Sequence, residues 1–197
     1  PVITPMGNSM FAIKGRNSII IAPHPRSAKV STHTVELMNE AIEKLGAPTN
    51  LIQIISEPSI ELTQGLMKTC DVIVATGGMS LVRAAYSSGK PAYGVGAGNV
   101  QVIVDHGYDM DQAAQDIIMG RKFDNGIICA GEQSIIAPAE QHAEIMEVFV
   151  RHGAYYVNNE ATVEKFRNTL FENGAINGKI IGKTAPEIAE IADVSIP

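Results

Sequence analysis

Short apolar runs alternate with segments of helical periodicity along the first half of the chain. The strand-like runs are SIIIAP (18–23), LIQII (51–55), DVIVA (71–75) and PAYGV (91–95). The helical segments between them are STHTVELMNEAIEKLGAP (31–48), SIELTQGLMKT (59–69) and MSLVRAAYSSG (79–89). Strands that are apolar throughout and separated by single helices are typical of a parallel sheet covered on both faces. The pattern predicts a doubly wound α/β lobe.

The first of these helices carries boundary signals. Ser31 stands where an N-cap is expected, and Gly46 is expected to end the helix. Its apolar residues recur at intervals of three and four, which predicts one apolar face. They are Val35, Met38, Ile42 and Leu45.

The regular alternation of predicted strands and helices changes in the second half of the chain. VQVIVD (100–105) predicts a further strand, and DMDQAAQDIIMGRKF (109–123) predicts a helix that leads into a loop around Cys129. The expected elements after this loop are a strand at 132–138, helices at 139–153 and 160–174, and a short strand at 178–182. We expect a first lobe over residues 1–123 and a second over 124–197.

Charge and composition narrow the choice of partner. The net charge is −6 and the pI is about 5.3, which argues against a nucleic-acid or anionic membrane surface and favours small molecules. The longest apolar runs are strand-sized, well short of the ~20 residues of a membrane span. The two cysteines, Cys70 and Cys129, form no CxxC pair, and the five histidines no metal frame. These features predict a cytoplasmic protein without a metal site.

Two glycine-bearing stretches are candidates for nucleotide contact. A strand leads into Thr76, Gly77 and Gly78 and then a helix, where free amides attract phosphate, although many such turns bind nothing. The stretch YGVGAGN (93–99) resembles a dinucleotide fingerprint but has Asn99 where the third glycine is needed, and a strand is expected to follow. Its glycines are better explained by a bend or a close backbone approach.

Cys129 is the candidate nucleophile. It lies between Gly126 and Gly131 among polar residues, which favours an exposed loop in which a thiol can react. A buried spacer is the alternative, because free cysteine is among the most buried residue types. Cys70 heads an apolar strand and is expected to be structural.

Five stretches together resemble a known family in order and spacing. They are PMGNSM (5–10), APHPRSAK (22–29), ATGGM (75–79), YSSGKPAYGVGAGN (86–99) and FDNGIICAGEQS (123–134). They are similar to the CoA-acylating branch of the aldehyde dehydrogenases, which includes the aldehyde dehydrogenase part of bifunctional aldehyde-alcohol dehydrogenases and stand-alone acetaldehyde and succinate semialdehyde enzymes.

This resemblance implies a role for individual residues. Cys129 matches the nucleophile that forms a thioacyl-enzyme, and Asn8 matches the amide that stabilises the oxyanion, although a turn residue is the alternative for Asn8. The residues implied in cofactor binding are Thr76, Gly77, Gly78, Pro23, His24, Gly94 and Val95. The first lobe would then be a Rossmann-like NAD-binding lobe, and the second an incomplete catalytic lobe of a homo-oligomeric enzyme.

Two departures from hydrolytic members of the superfamily bear on chemistry. Gly94 stands where those members carry a glutamate that activates water, so the resemblance implies coenzyme A as acyl acceptor for a small aldehyde. Ala22 replaces a lysine that holds the adenine ribose, which leaves NAD and NADP both open. Family subunits are more than twice as long, so we expect the chain to be a fragment. A hydrolytic or phosphorylating relative and a non-catalytic nucleotide-binding fragment remain alternatives.

Overall fold

The computed structural model describes residues 2–197 and has an α/β fold. It divides into two compact units, Pro1–Gly96 and Ala97–Pro197. The strands are joined in four pairs, three parallel and one antiparallel. The predicted α/β class and the parallel direction of its principal strands are therefore confirmed.

The first unit alternates helices and strands from its start. Its elements in order are α1 (Ile3–Lys14), β1 (Ile19–Ile21), α2 (Ala28–Glu43), β2 (Ile52–Ile54), α3 (Ile60–Thr69), β3 (Ile73–Thr76), α4 (Met79–Tyr86) and β4 (Ala92–Val95). β1 pairs with β2, and β3 pairs with β4. Met67, Ile73, Ala75 and Ala85 form a buried cluster here, against which Cys70 packs. Alternate residues of β3 thus face this core.

The second unit contains a parallel pair joined through a helix. Its elements are β5 (Val100–Ile103), α5 (Met110–Lys122), β6 (Glu132–Ile136), α6 (His142–Arg151), α7 (Glu160–Leu170), β7 (Phe171–Glu172), β8 (Ala175–Ile176) and α8 (Ala185–Ile191). Asp109 caps α5 by accepting a hydrogen bond from the Gln112 N–H at 3.1 Å. The core forms where α5 and α6 pack, around Ala114, Ile117, Ile145 and Val148. The cysteine loop connects α5 to β6.

Four local predictions are wrong. The strand expected at 178–182 is a series of turns. The helix expected at 160–174 ends at Leu170, and an antiparallel hairpin between β7 and β8 follows it. Asn173 and Gly174, at φ 53° and 76°, supply the left-handed backbone that such a two-residue turn needs. In α2 the N-cap position is Ser27, so Ser31 lies inside the helix with its side chain buried. Leu45 lies beyond the end of α2 and is 87% exposed.

Helix α1 is one of the elements that the sequence pattern does not predict, as is α8. Pro5 stands in its first turn, where a missing N–H removes no helical hydrogen bond. Asn8 lies in the middle of this helix, so the alternative that Asn8 is a turn residue is wrong. No helix within residues 2–197 is long and apolar enough to cross a membrane.

A charged cluster joins α5 to the end of α6. Arg151 donates from Nη2 to both carboxylate oxygens of Asp111 at 2.9 Å, and His152 Nε2 lies 2.8 Å from Asp111 Oδ1. The hydrogen bonds from His152 and Arg151 hold the pKa of the Asp111 carboxyl below its ordinary value. Asp111 and Arg151 are exposed and His152 is half-buried, and the cluster adds a polar link beside the buried contact of the two helices.

We expect Asp111→Asn to lower the midpoint of urea unfolding at neutral pH. The gap between the midpoints of wild type and variant should narrow in acid. A depressed folded-state pKa contributes stability that is present above the unfolded value and is lost as pH falls through the folded one, so the gap should begin to narrow below about pH 4. Asp116→Asn on the same helix is the control, because among residues 2–197 the Asp116 side chain accepts a hydrogen bond only from Gln112. A gap that is unchanged at about pH 3 would contradict the prediction.

Candidate active site

Cys129 lies on an exposed turn between a short 3-10 segment (Phe123–Gly126) and β6. A hydrogen bond from the Gly131 N–H to the Ile128 carbonyl, 3.2 Å long, closes the turn around it. Cys70, by contrast, is half-buried and its thiol lies 3.8 Å from the Met67 carbonyl oxygen. Cys129 is exposed in this chain, which argues against the buried-spacer alternative.

The backbone before Cys129 has an unusual conformation. Asp124 and Asn125 both have φ of 50°, and Gly126 follows at 73°. Only glycine enters this left-handed region freely, while asparagine and aspartate tolerate it better than other residues. The sequence Asp-Asn-Gly therefore suits the turn that the chain makes four residues ahead of the thiol.

Two distant segments contact this loop within the second unit. The Asn125 side chain donates from Nδ2 to the Gly182 carbonyl oxygen at 2.9 Å. Ile127 packs against Gly182 so closely that a Cβ there would lie 3.0 Å from Ile127 Cδ1. On another side, a Cβ at Gly98 would lie 3.5 Å from the Cys129 carbonyl oxygen. The loop is thus braced by side-chain and backbone contacts from both earlier and later parts of the unit.

Arg121, in the last turn of α5, contacts the loop with its guanidinium group. A Cβ built on Gly126 would lie 3.2 Å from Arg121 Nη2, and one built on Gly131 would lie 3.6 Å from Nη1. No acidic group within residues 2–197 forms an ion pair with it. An exposed, unneutralised positive charge therefore lies beside both glycines that flank Cys129.

Glu132 begins β6 directly after the thiol turn. Its carboxylate packs against the backbone of Gly120 in α5, where a Cβ would overlap the carboxylate oxygens. Its Oε2 atom is buried and finds no hydrogen-bond partner among the described residues. The position of the Glu132 carboxylate therefore depends on its packing against Gly120.

The ends of β3 and β4 gather five of the predicted cofactor residues in the first unit. Thr76 pairs with Val95 in the strand register, and the Gly77 N–H donates to the Val95 carbonyl at 3.0 Å. Gly78 is the N-cap residue of α4, and no side chain of residues 2–197 caps that end. Glycine leaves the space above it open, with Ser80 Oγ 4.0 Å from the place of a Cβ. Open amides at the end of parallel strands can bind a phosphate group.

Gly94 is a close-contact position in β4. A Cβ at this residue would lie 2.6 Å from Val82 Cγ1 and 2.9 Å from Tyr86 Cε2 of α4. The Gly94 N–H donates to the Tyr86 hydroxyl oxygen at 3.0 Å. The alternative of a close backbone approach is therefore confirmed for this glycine.

The other predicted residues of the first unit lie on separate elements. Pro23 and His24 follow β1, and His24 Nδ1 accepts a hydrogen bond from the Arg26 N–H at 3.1 Å. Asn8 is half-buried in α1. Cys129 belongs to the second unit. Within a unit, the structure brings together only the group formed by Thr76, Gly77, Gly78, Gly94 and Val95.

Arg121 and Gly182 contact the Cys129 loop but are not among the predicted site residues. Arg121 carries a weak signal, because a basic residue in the last turn of a helix is common for electrostatic reasons alone. Gly182 carries none, because it lies 57 residues from its partner Asn125 and within a segment predicted as a strand.

The chain belongs to the aldehyde dehydrogenase family, whose family model matches residues 1–165. It is 63% identical over 197 residues to a succinate-semialdehyde dehydrogenase (acetylating) of Clostridium kluyveri, covering all of this chain and 44% of that protein. The sequence-based assignment to this family is therefore confirmed.

Solved structures show the same similarity. An acetylating aldehyde dehydrogenase from Geobacillus thermoglucosidasius matches with a TM-score of 0.93 and 42% identity over 100% of this chain and 44% of that one. A propionaldehyde dehydrogenase from Rhodopseudomonas palustris, with bound CoA and an acylated cysteine, matches with a TM-score of 0.82 and 35% identity over 92% of this chain and 42% of that one. The chain thus spans less than half the length of these relatives.

We expect Arg121→Gln to reduce the preference of Cys129 for an anionic over a neutral alkylating reagent. The guanidinium lies against Gly126 and Gly131, the glycines on either side of Cys129. In water two unit charges roughly 8 Å apart interact by about 0.5 kcal/mol, which corresponds to about twofold in rate. The measurement is the iodoacetate-to-iodoacetamide rate ratio at Cys129 in low salt, by peptide mapping.

Lys122→Gln is the matched control for this experiment, since it removes the same charge one position further on. The Lys122 side chain lines a groove with Phe123 and His152. An equal fall in the ratio for both variants would contradict a specific effect of Arg121. Addition of salt should reduce the effect of Arg121, because exposed charges are screened within about 10 Å at 0.1 M.

Proposed function

We propose that the complete protein oxidises an aldehyde to its acyl-CoA thioester with NAD as hydride acceptor, and catalyses the reverse reduction. The observation that carries the proposal is the exposed Cys129, which follows a braced, left-handed turn in an aldehyde dehydrogenase chain. A nucleophilic thiol needs such access together with a fixed position.

The proposed chemistry begins with Cys129. Its thiolate attacks the aldehyde carbonyl carbon, and the oxyanion that forms accepts hydrogen bonds from the Cys129 N–H and the Asn8 amide. NAD, when bound, would supply the hydride acceptor for this carbon. The thioester left on Cys129 is then attacked by the CoA thiolate, which releases acyl-CoA and restores the Cys129 thiolate. One aldehyde, one NAD and one CoA thiol thus give acyl-CoA, NADH and a proton.

The first unit has groups that suit a dinucleotide. The uncapped N-terminus of α4 and the open space over Gly78 would accept the pyrophosphate. Thr76, Gly77, Gly94 and Val95 would line the same strand ends, and Pro23 with His24 would lie along the adenosine. The choice between NAD and NADP stays open in this proposal, because Ala22 supplies no charged group for the adenine ribose.

The choice of coenzyme A over water follows from Gly94. Hydrolytic members are expected to carry a glutamate base at this position. Here a side chain would meet Val82 and Tyr86, so the β4 backbone at this point lies directly under α4. Without a general base, water is poorly activated, whereas a thiolate nucleophile needs no such assistance. The similarity to a protein solved with CoA and an acylated cysteine supports the same acceptor.

The remaining parts of the proposal concern the whole protein. We propose a small aldehyde as substrate and a cytoplasmic homo-oligomer as the working form. The division into a cofactor-binding lobe of residues 1–123 and a catalytic lobe from residue 124 onward also stays a prediction.

The test is covalent trapping of the intermediate in the complete protein. Incubation with aldehyde and NAD but without CoA should give an acyl mass increment on the Cys129 peptide, and CoA should discharge it as acyl-CoA. Cys129→Ala should abolish both the adduct and NADH formation, whereas Cys70→Ala should retain both. Discharge by water or by phosphate at the rate of CoA would favour the hydrolytic or phosphorylating alternative. If neither the adduct nor NADH forms, the result would favour the alternative of a non-catalytic nucleotide-binding protein.

We expect Asn8→Ala to lower kcat by roughly 10² to 10³, the usual effect of removing one oxyanion donor. Alanine is the best helix former, so α1 should persist and the thermal unfolding temperature should change little. Steady-state kinetics and a melting curve of the same sample separate the two effects. Full turnover in a folded variant would remove Asn8 from the site.

A further inference from the structure

The loop before Cys129 adopts a conformation that its local sequence does not enforce. Asp124, Asn125 and Gly126 are three consecutive residues with positive φ, and two of them carry a Cβ. Such backbone is disfavoured for residues other than glycine and persists only when surrounding contacts hold it. A contact that holds this turn therefore also fixes the direction in which the chain enters the Cys129 turn.

The Asn125 side chain supplies such a contact. Its Nδ2 donates to the Gly182 carbonyl oxygen at 2.9 Å, across 57 residues of sequence. Gly182 itself has φ of 83°, and Ile127 packs directly on it. The turn at 178–182 thus contacts the loop at two points, one polar and one apolar, on either side of Gly126.

We propose that Asn125 is a positioning residue for the Cys129 nucleophile, and that it acts by tying the thiol loop to the Gly182 carbonyl. This inference rests on the proposed function, because it assumes that Cys129 is the nucleophile. Asparagine combines two properties that the position requires. Its amide can donate to a carbonyl oxygen, and its backbone tolerates the left-handed region. Aspartate shares the second property but, when ionised, cannot donate.

Two variants of the complete protein separate the tether from the backbone conformation. Asn125→Gly removes the hydrogen bond at a φ that glycine prefers, so folding is not at risk. Asp124→Gly relaxes the neighbouring left-handed residue and leaves the tether intact. The Asp124 carbonyl, which accepts from the Ile127 N–H at 3.1 Å, is retained. Asn173→Gly, at φ 53° in the hairpin turn, is the same replacement away from the loop.

The readouts are the iodoacetamide rate at Cys129, with Cys70 as internal reference, and the separate values of kcat and KM for NAD. We expect Asn125→Gly to change the Cys129 rate and to lower kcat by about 10- to 100-fold, as misplacement of a reacting group by about 1 Å can do. KM for NAD should stay within about twofold, because the residues proposed to bind NAD lie in the first unit. Asp124→Gly and Asn173→Gly should match wild type in both readouts, and Asn125→Asp should behave like Asn125→Gly.

Failure of this inference differs from failure of the proposed function. If wild type forms the acyl adduct on Cys129 but Asn125→Gly alkylates and turns over like wild type, the positioning role is overturned alone. Equal loss in Asp124→Gly and Asn125→Gly would also overturn it, because loop conformation and not the tether would then matter. If wild type forms no adduct, the proposed function fails first.

Discussion

The left-handed turn at Asp124, Asn125 and Gly126 is the constraint on which the candidate site depends. It ends α5 and directs the chain into the exposed Cys129 turn before β6. Contacts from Arg121 and Gly182 close around it, and Gly98 lies against the Cys129 carbonyl. A strained turn that is braced in this way fixes a reactive group more narrowly than a free loop does, because few alternative conformations satisfy the same contacts.

Much of the fold could be predicted from periodicity because most elements obey one local rule. β1 to β6 are short apolar runs, and α2 to α7 have helical spacing or caps that mark them in the sequence. α1 was not predicted because Pro5 and Gly7 lower helix propensity. Pro5 lies in the first turn, however, where its missing N–H removes no helical hydrogen bond. The strand predicted at 178–182 was wrong, because two isoleucines suggested a strand in a segment whose backbone forms turns.

Some residues of the candidate site could be predicted from the local sequence, whereas others depend on contacts between segments that are distant in sequence. Thr76, Gly77 and Gly78 could be located because a strand, a turn and a helix follow one another in sequence and place them at a strand end. The exposure of Cys129 followed from its glycine-bearing polar loop. The roles of Arg121, Gly98 and Gly182 could not be seen, because each contact depends on packing between segments that no short pattern relates. Tertiary contacts of this kind appear only once the chain is folded.

Gly94 shows how packing can bear on chemistry. The β4 strand approaches α4 so closely that Val82 and Tyr86 fill the space that a side chain at position 94 would need. The Tyr86 hydroxyl oxygen also accepts a hydrogen bond from the Gly94 N–H. Introducing a carboxylate base there would require more than one substitution, because both helix residues would have to move. The helix face of α4 and the glycine of β4 are therefore coupled. On this argument, the proposed preference for a thiol acceptor resides in the contact between α4 and β4 as well as in the missing carboxylate.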